Sequence, residues 1–180
     1  MKKNLTILPT NQLLQQVWDY IISRPSKRGE HKKEIMECLY LLCWKAGLRI
    51  SEALEFDLSL EHGEGAYKNL YLLRGKGKKE RWVYVGEEII KELKKRYWKP
   101  QQTNRWTFSK FLEQVKKEMV ISERVELAPH TLRRCFATYQ AISGMPLPVL
   151  QKVLGHSKIS TTALYIRDGD LGNLVRFRPV

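Results

Sequence analysis

The chain changes its hydrophobic period once, and that change constrains the fold more than any other feature. Before about residue 55 and again after residue 86, apolar residues recur at helical spacing. Between these stretches lie two short β-rich runs, Asn69 to Leu73 and Arg81 to Val85, around a Gly75-Lys76-Gly77 turn. Such a pair predicts a β-hairpin or part of a small sheet. Gly63 and Gly65 mark a loop just before it.

The helical part can be read in order. Thr10 is a suitable N-cap for a helix over Asn11 to Ile22, with Leu13, Leu14, Val17, Trp18 and Ile21 at helical spacing. A basic, turn-rich connection, Ser23 to Gly29, leads to a longer helix over His31 to Ala46. Its apolar face carries Ile35, Cys38, Leu39, Leu42 and Cys43, and Gly47 ends it. A short helix is expected over Ile50 to Leu54. Beyond the hairpin, helices are predicted over Glu87–Tyr97, Thr107–Val120, Pro129–Ser143, Pro148–Leu154 and about Ser160–Arg167. The fold class is therefore α+β: mostly α-helical, with a small antiparallel β-sheet.

Charge narrows the partners. The 180 residues hold 32 Lys and Arg against 19 Asp and Glu, a net charge of +13. Such a surplus favours a polyanion, most commonly nucleic acid. The cations are spread along the chain, not gathered on one amphipathic helix, which argues against a membrane-surface role. No apolar run approaches a membrane span, and the start shows no signal-peptide pattern. Cys38, Cys43 and Cys135 suggest no disulfide framework and fit a reducing compartment. Cys38 and Cys43 read as core residues, and no metal-ligand cluster is visible.

Several residues invite a chemical reading, each beside a plainer one. Arg49 stands at a helix break between Leu48 and Ile50, where a guanidinium needs an anionic partner; a salt bridge to Glu52 would suffice. Lys76 lies in the glycine-flanked turn of RGKGKKER, where Lys78, Lys79 and Arg81 make the hairpin a candidate DNA-contacting element, or an ordinary solvated turn. The glycine spacing does not match a nucleotide-binding loop. His130 and Arg133 share a helix face near Pro129, where backbone N–H groups favour an anion. Alone they also read as a capping histidine and a surface arginine. Arg134 is a further DNA contact or simply solvated. His156 and Tyr165, nine residues apart, would face opposite ways on one unbroken helix. Gly155 can end a first helix and Ser157 or Ser160 cap a second, so both side chains can converge. The alternative is a core tyrosine and a histidine closing a turn.

Together, AGLRISEAL (46–54), GKGKKERWVYV (75–85), HTLRRCFAT (130–138) and LGHSKISTTALYI (154–166) resemble the tyrosine recombinases, or phage-type integrases, in order and spacing. The resemblance covers about residues 31–168. It implies that Arg49 and Arg133 are the two catalytic arginines and Lys76 the hairpin lysine. His130 is then the histidine of the H-x-x-R pair, His156 the second histidine and Tyr165 the nucleophile. Arg134 stands where histidine is frequent in the family. The implied reaction needs no metal or other cofactor. Tyr165 attacks a DNA phosphodiester, leaving a 3′-phosphotyrosine link and a free 5′-hydroxyl. His130 is the expected general base, Lys76 the general acid and His156 a phosphate-orienting group.

The resemblance also sets expectations for organisation. Residues 1–180 are read as a single catalytic domain with a tail over 169–180, lacking the family's N-terminal DNA-clamping domain. The expected partner is double-stranded DNA, bound by a homotetramer, in the cytoplasm at the nucleoid if the host is bacterial, without a membrane. A non-catalytic DNA-binding regulator of the same descent, a type IB topoisomerase-like enzyme and a metabolic enzyme acting on an anionic substrate are the competing readings.

Overall fold

Thr10 opens the first helix as its sequence suggests: its Oγ1 accepts from the Leu13 N–H at 3.1 Å. The computed structural model describes residues 7–25, 29–62, 65, 68–74, 80–156 and 158–162. In order, the elements are α1 (Asn11–Ser23), α2 (Glu30–Trp44), α3 (Ile50–Leu54), a 3₁₀ turn (Leu58–Leu60), β1 (Leu70–Arg74), β2 (Glu80–Tyr84), α4 (Glu87–Lys95), α5 (Arg105–Glu118), α6 (Pro129–Ile142) and α7 (Leu147–Leu154). Residues 159–162 form a further helical stretch. The expected class, mostly helical with a small antiparallel sheet, is the observed one. The pairing runs from Leu70 opposite Tyr84 to Arg74 opposite Glu80. An isolated antiparallel bridge joins Glu61 to Tyr71 at the edge of β1.

Helix α2 is the centre of the molecule. The sequence suggests one apolar face, yet every residue from Ile35 to Trp44 is buried. The reason is that α1, α4, α5 and α6 surround it. The buried Glu37 carboxylate is tolerated because Arg96 and Lys33 pair with it. Tyr40, fully enclosed, donates its hydroxyl hydrogen to the Leu14 carbonyl at 2.9 Å. Cys38, Cys43 and Cys135 are free and buried, and burial pushes each thiol up to about 12.

Boundaries shift where a cap decides. Helix α5 starts at Arg105 because Asn104 Oδ1 accepts from the Thr107 N–H at 3.0 Å. Helix α4 stops at Lys95, ahead of Tyr97 with its positive φ of 51°. The turn residues 75–79 and those beyond 162 lie outside the described part.

Two arrangements position the functional region. Gly47, with φ 65°, turns the chain from α2 into α3, and the Phe136 ring occupies the place where a Cβ would stand. Helix α7 lies on α6 through a second apolar cluster, Ala137, Leu150 and Leu154, joined by Phe136, Ala141 and Met145. The start of α3, the first turns of α6, strand β2 and the end of α7 therefore meet. Replacing Gly47 with Ala strains a left-handed backbone and crowds Phe136. Urea unfolding of Gly47→Ala is expected to show a loss of at least about 1 kcal/mol.

Candidate active site

Glu52 is the hub of this meeting point. It occupies the third position of α3, and its Oε2 accepts from the Arg49 backbone N–H at 2.8 Å, reaching back to the residue that opens the helix. Its side chain is 2% exposed, and three guanidiniums reach it: Arg49 Nη1 at 2.8 Å, Arg81 Nη2 at 2.8 Å and Arg133 Nη1 at 3.5 Å. Burial acts to raise the Glu52 carboxyl. Arg81, the Arg49 N–H and Arg133 outweigh it and hold the group below its ordinary range.

The end of α7 supplies the second set of acceptors. The C=O groups of a last helical turn have no partner within the helix. Here three in succession are taken by arginines from three other segments. Arg81 Nη1 donates to the Val153 carbonyl, Arg133 Nη2 to the Leu154 carbonyl, and Arg49 Nη2 to the Gly155 carbonyl at 3.2 Å. Arg133 Nη1 also donates to the Gly47 carbonyl at 2.8 Å. Gly155 adopts the left-handed conformation that ends α7, with φ 60° and ψ 44°. A Cβ on it would lie 2.6 Å from Arg81 Cδ, so glycine is required there for room as well as for conformation.

His156 follows directly. Its ring Nε2 lies 3.4 Å from Arg133 Nη2, and its Nδ1 lies 3.0 Å from Thr162 Oγ1. A guanidinium only donates, so Nε2 accepts, and the ring proton sits on Nδ1 and is donated to Thr162. Gln151 fixes the backbone on both sides: its carbonyl accepts from the His156 N–H at 3.1 Å, and its Nε2 donates to the His156 carbonyl at 3.0 Å. Burial, then Arg133, Arg49 and Arg81, lower the imidazole to about 4, so it is neutral near pH 7.

The expected site residues fall into three groups. Arg49, Arg133 and His156 are brought together. Arg49 keeps 41% of its side chain exposed, whereas Arg133 is 7% exposed and sits behind it. The plainer reading of Arg49 is met too, since its salt bridge to Glu52 exists; the bridge aims the guanidinium. Arg133 is not the surface arginine of the plainer reading. His130 stands on the first turn of α6, largely exposed, with Nε2 3.0 Å from Glu126. Arg81, expected among DNA-contacting residues, points inward, 13% exposed, onto Glu52 and α7. Alternation along β2 explains this, because Arg81 shares the inward side with Val83 while Trp82 and Tyr84 face out. Arg134, next to Arg133, is half-buried. Lys76, Lys78, Lys79 and Tyr165 lie outside the described residues.

Gln151 and Thr162 were missed, and no local pattern marks them. Glu52 was seen only as a partner for Arg49; its spacing of three from a helix start was the available signal. Among the described residues no three His, Cys, Asp or Glu side chains gather as a metal would need, and no helix is long and apolar enough to cross a membrane.

Residues 11–170 match the phage integrase family. The chain belongs to that family, the tyrosine recombinases. It is 33% identical over 158 residues to the tyrosine recombinase XerC of Thermodesulfovibrio yellowstonii, covering 76% of this chain and 50% of that protein. It is 34% identical over 154 residues to the tyrosine recombinase XerD of Proteus mirabilis, covering 74% and 46%. The chain thus spans about half the length of these relatives. Two solved structures share the fold. One is the XerH site-specific recombinase bound to palindromic difH substrate, a post-cleavage complex (TM-score 0.77, 21% identity, 97% of this chain and 52% of that one). The other is the catalytic domain of bacteriophage HP1 integrase (TM-score 0.65, 22% identity, 98% and 96%).

Two outcomes follow for this family member. Glu52→Gln removes the one carboxylate shared by three guanidiniums, and urea denaturation should show a loss of roughly 3–5 kcal/mol. His156 has a folded pKa depressed from 6.5 to about 4, so its contribution to stability is present above pH 6.5 and is lost as pH falls toward 4. An NMR titration of its imidazole should give a midpoint near 4 in phosphate-free buffer. Inorganic phosphate should move the midpoint upward, because an anion favours the imidazolium.

Proposed function

We propose that this chain cleaves and rejoins double-stranded DNA as the catalytic domain of a site-specific recombinase, through a 3′-phosphotyrosyl intermediate. The observation that carries the proposal is the gathering of Arg49 and Arg133 on one buried carboxylate, with His156 set against Arg133. Three guanidiniums share a single Glu52, so the region keeps a positive excess suited to a phosphodiester. The relatives XerC and XerD are named tyrosine recombinases, and the XerH site-specific recombinase is seen in a post-cleavage complex with difH substrate, which supports a DNA partner for this chain.

In the proposed reaction, the Tyr165 oxygen attacks phosphorus and the bond to the 5′-oxygen breaks. His130 receives the tyrosine proton, and Lys76 supplies a proton to the leaving 5′-oxygen. Negative charge builds on the non-bridging oxygens. Arg49 presents its open guanidinium to them, and Arg133 adds its charge from behind. His156 orients a phosphate oxygen. Rejoining is the reverse attack by a 5′-hydroxyl of a partner strand, and the phosphotyrosyl bond conserves the energy. The assignments of Tyr165 and Lys76 rest on the LGHSKISTTALYI and GKGKKER motifs. Lys78, Lys79 and Arg134 are assigned to DNA contacts. The working assembly is a homotetramer on two duplexes in the cytoplasm, with residues 1–180 acting as one catalytic domain.

The target sequence need not be known for a test. A pool of nicked suicide duplexes with randomised arms traps any covalent protein–DNA adduct. The wild-type chain should form adducts, and Tyr165→Phe should form none while still holding DNA, with affinity falling steeply as salt rises. Arg133→Ala should slow adduct formation by about two to three orders of magnitude. DNA binding without any adduct from the pool would overturn the enzymatic proposal in favour of a binding-only regulator.

A further inference from the structure

We infer that Arg81 is a positioning residue of the active site: it ties Glu52 to the end of α7, so that Arg49, Arg133 and His156 are presented to one anion. The inference rests on the reaction proposed above and adds a residue to which that reaction assigns no part.

Arg81 is held from two sides. Its side chain is 13% exposed. Nη2 is engaged by Glu52 Oε2 at 2.8 Å and Nη1 by the Val153 carbonyl. Nε is buried with no hydrogen-bond partner among the described residues. Held at both Nη groups, this guanidinium acts on Arg49 through the Glu52 they share and through the end of α7.

Each of its contacts leads to a group facing the substrate. Glu52 is also the carboxylate that aims Arg49 and touches Arg133. Val153 is the first of three successive carbonyls on arginines, and fixing it sets Leu154 against Arg133, Gly155 against Arg49 and the backbone of His156 just beyond. The Arg81 side chain also fills the space beside Gly155, where a Cβ would meet Cδ at 2.6 Å and Nε at 2.8 Å. Only a planar fork spans Glu52 and a carbonyl at once. Lysine at this position keeps the charge but lacks the two separate nitrogens of the fork.

The test compares wild type, Arg81→Met and Arg81→Lys on nicked duplexes recovered from the adduct pool. Each carries either an ordinary scissile phosphodiester or a methylphosphonate. The methylphosphonate has a methyl group in place of one non-bridging oxygen, so it has no negative charge for the arginines to hold. Arg81→Met should cleave the phosphodiester about 100-fold more slowly, the scale of a roughly 1 Å misplacement of catalytic groups. On the methylphosphonate the deficit should shrink to within about threefold, because the misplaced arginines are no longer needed. Arg81→Lys should fall between wild type and Arg81→Met, and it carries the same comparison if Arg81→Met does not fold. An equal deficit on both substrates, or no deficit, would overturn the inference and leave Arg81 as a pin between hairpin and helix.

A second readout is independent of cleavage. Titrating inorganic phosphate while following the His156 imidazole by NMR should show about tenfold weaker binding in the Arg81 variants, equivalent to about 1.4 kcal/mol. Unchanged phosphate affinity counts against positioning. If wild type forms no adduct yet loses phosphate affinity on substitution, the recombinase proposal fails and the positioning of an anion site by Arg81 stands.

Discussion

The carboxylate of Glu52 is the constraint on which the rest of the site depends. A buried carboxylate is costly without compensating charge, and three guanidiniums drawn close together repel one another. Each arrangement is stable only because of the other. Glu52 lies 2% exposed with Arg49, Arg81 and Arg133 around it, and the arginines come from three separate segments: the start of α3, strand β2 and helix α6. One carboxylate does not neutralise three cations. The remainder is the positive character available to a phosphate, so the interaction that allows the cluster to exist also leaves it incomplete.

Helix α7 closes the arrangement from the other side. Its C-terminal end carries the negative pole of the helix dipole and carbonyls with no partner inside the helix. In an ordinary helix these would be capped by water or by following backbone groups. Here Val153, Leu154 and Gly155 give their oxygens to Arg81, Arg133 and Arg49. Apolar packing of Leu150 and Leu154 on α6 brings the end of α7 to the arginines, and the arginines in turn anchor it. Folding and site assembly are therefore one event: the segments that bury the second apolar cluster are the segments that complete the polar one.

This explains why some of the molecule was legible in the sequence and some was not. Helices and the hairpin follow from local period and caps, so Thr10 and Gly155 mark boundaries correctly, whereas α2 stops at Trp44, two residues short of the expected Ala46. Helix α5 begins at Arg105, two residues before the Thr107 that its period predicts, because the Asn104 side chain caps it. Arg49, Arg133 and His156 were legible through motifs, not through local chemistry; each alone also fits a plain structural role. What the sequence could not show is orientation across elements. Arg81 sits in a run of basic residues and reads as part of a DNA-facing surface. Only the pleat of β2 and the approach of α7 decide that it turns inward. Gln151 and Thr162 act through contacts with His156 that carry no composition signal, because glutamine and threonine at such places are ordinary in any helix.

His156 shows how the arginine cluster acts on a neighbouring side chain. Burial and three neighbouring cations keep its imidazole neutral, with Nε2 accepting from Arg133 and the proton held on Nδ1 toward Thr162. In that tautomer Nε2 has no hydrogen to offer a phosphate oxygen. An entering anion changes both terms: it offsets the arginine charge that disfavours the imidazolium, and it gives Arg133 a better acceptor than a neutral nitrogen. The ring can then take up a proton and donate from Nε2 while Nδ1 still donates to Thr162. Thr162 therefore needs only to hold the ring plane in both states, which its buried hydroxyl does. The depressed pKa of His156 therefore follows first from burial and then from Arg133, Arg49 and Arg81, whose charge the single Glu52 offsets only in part.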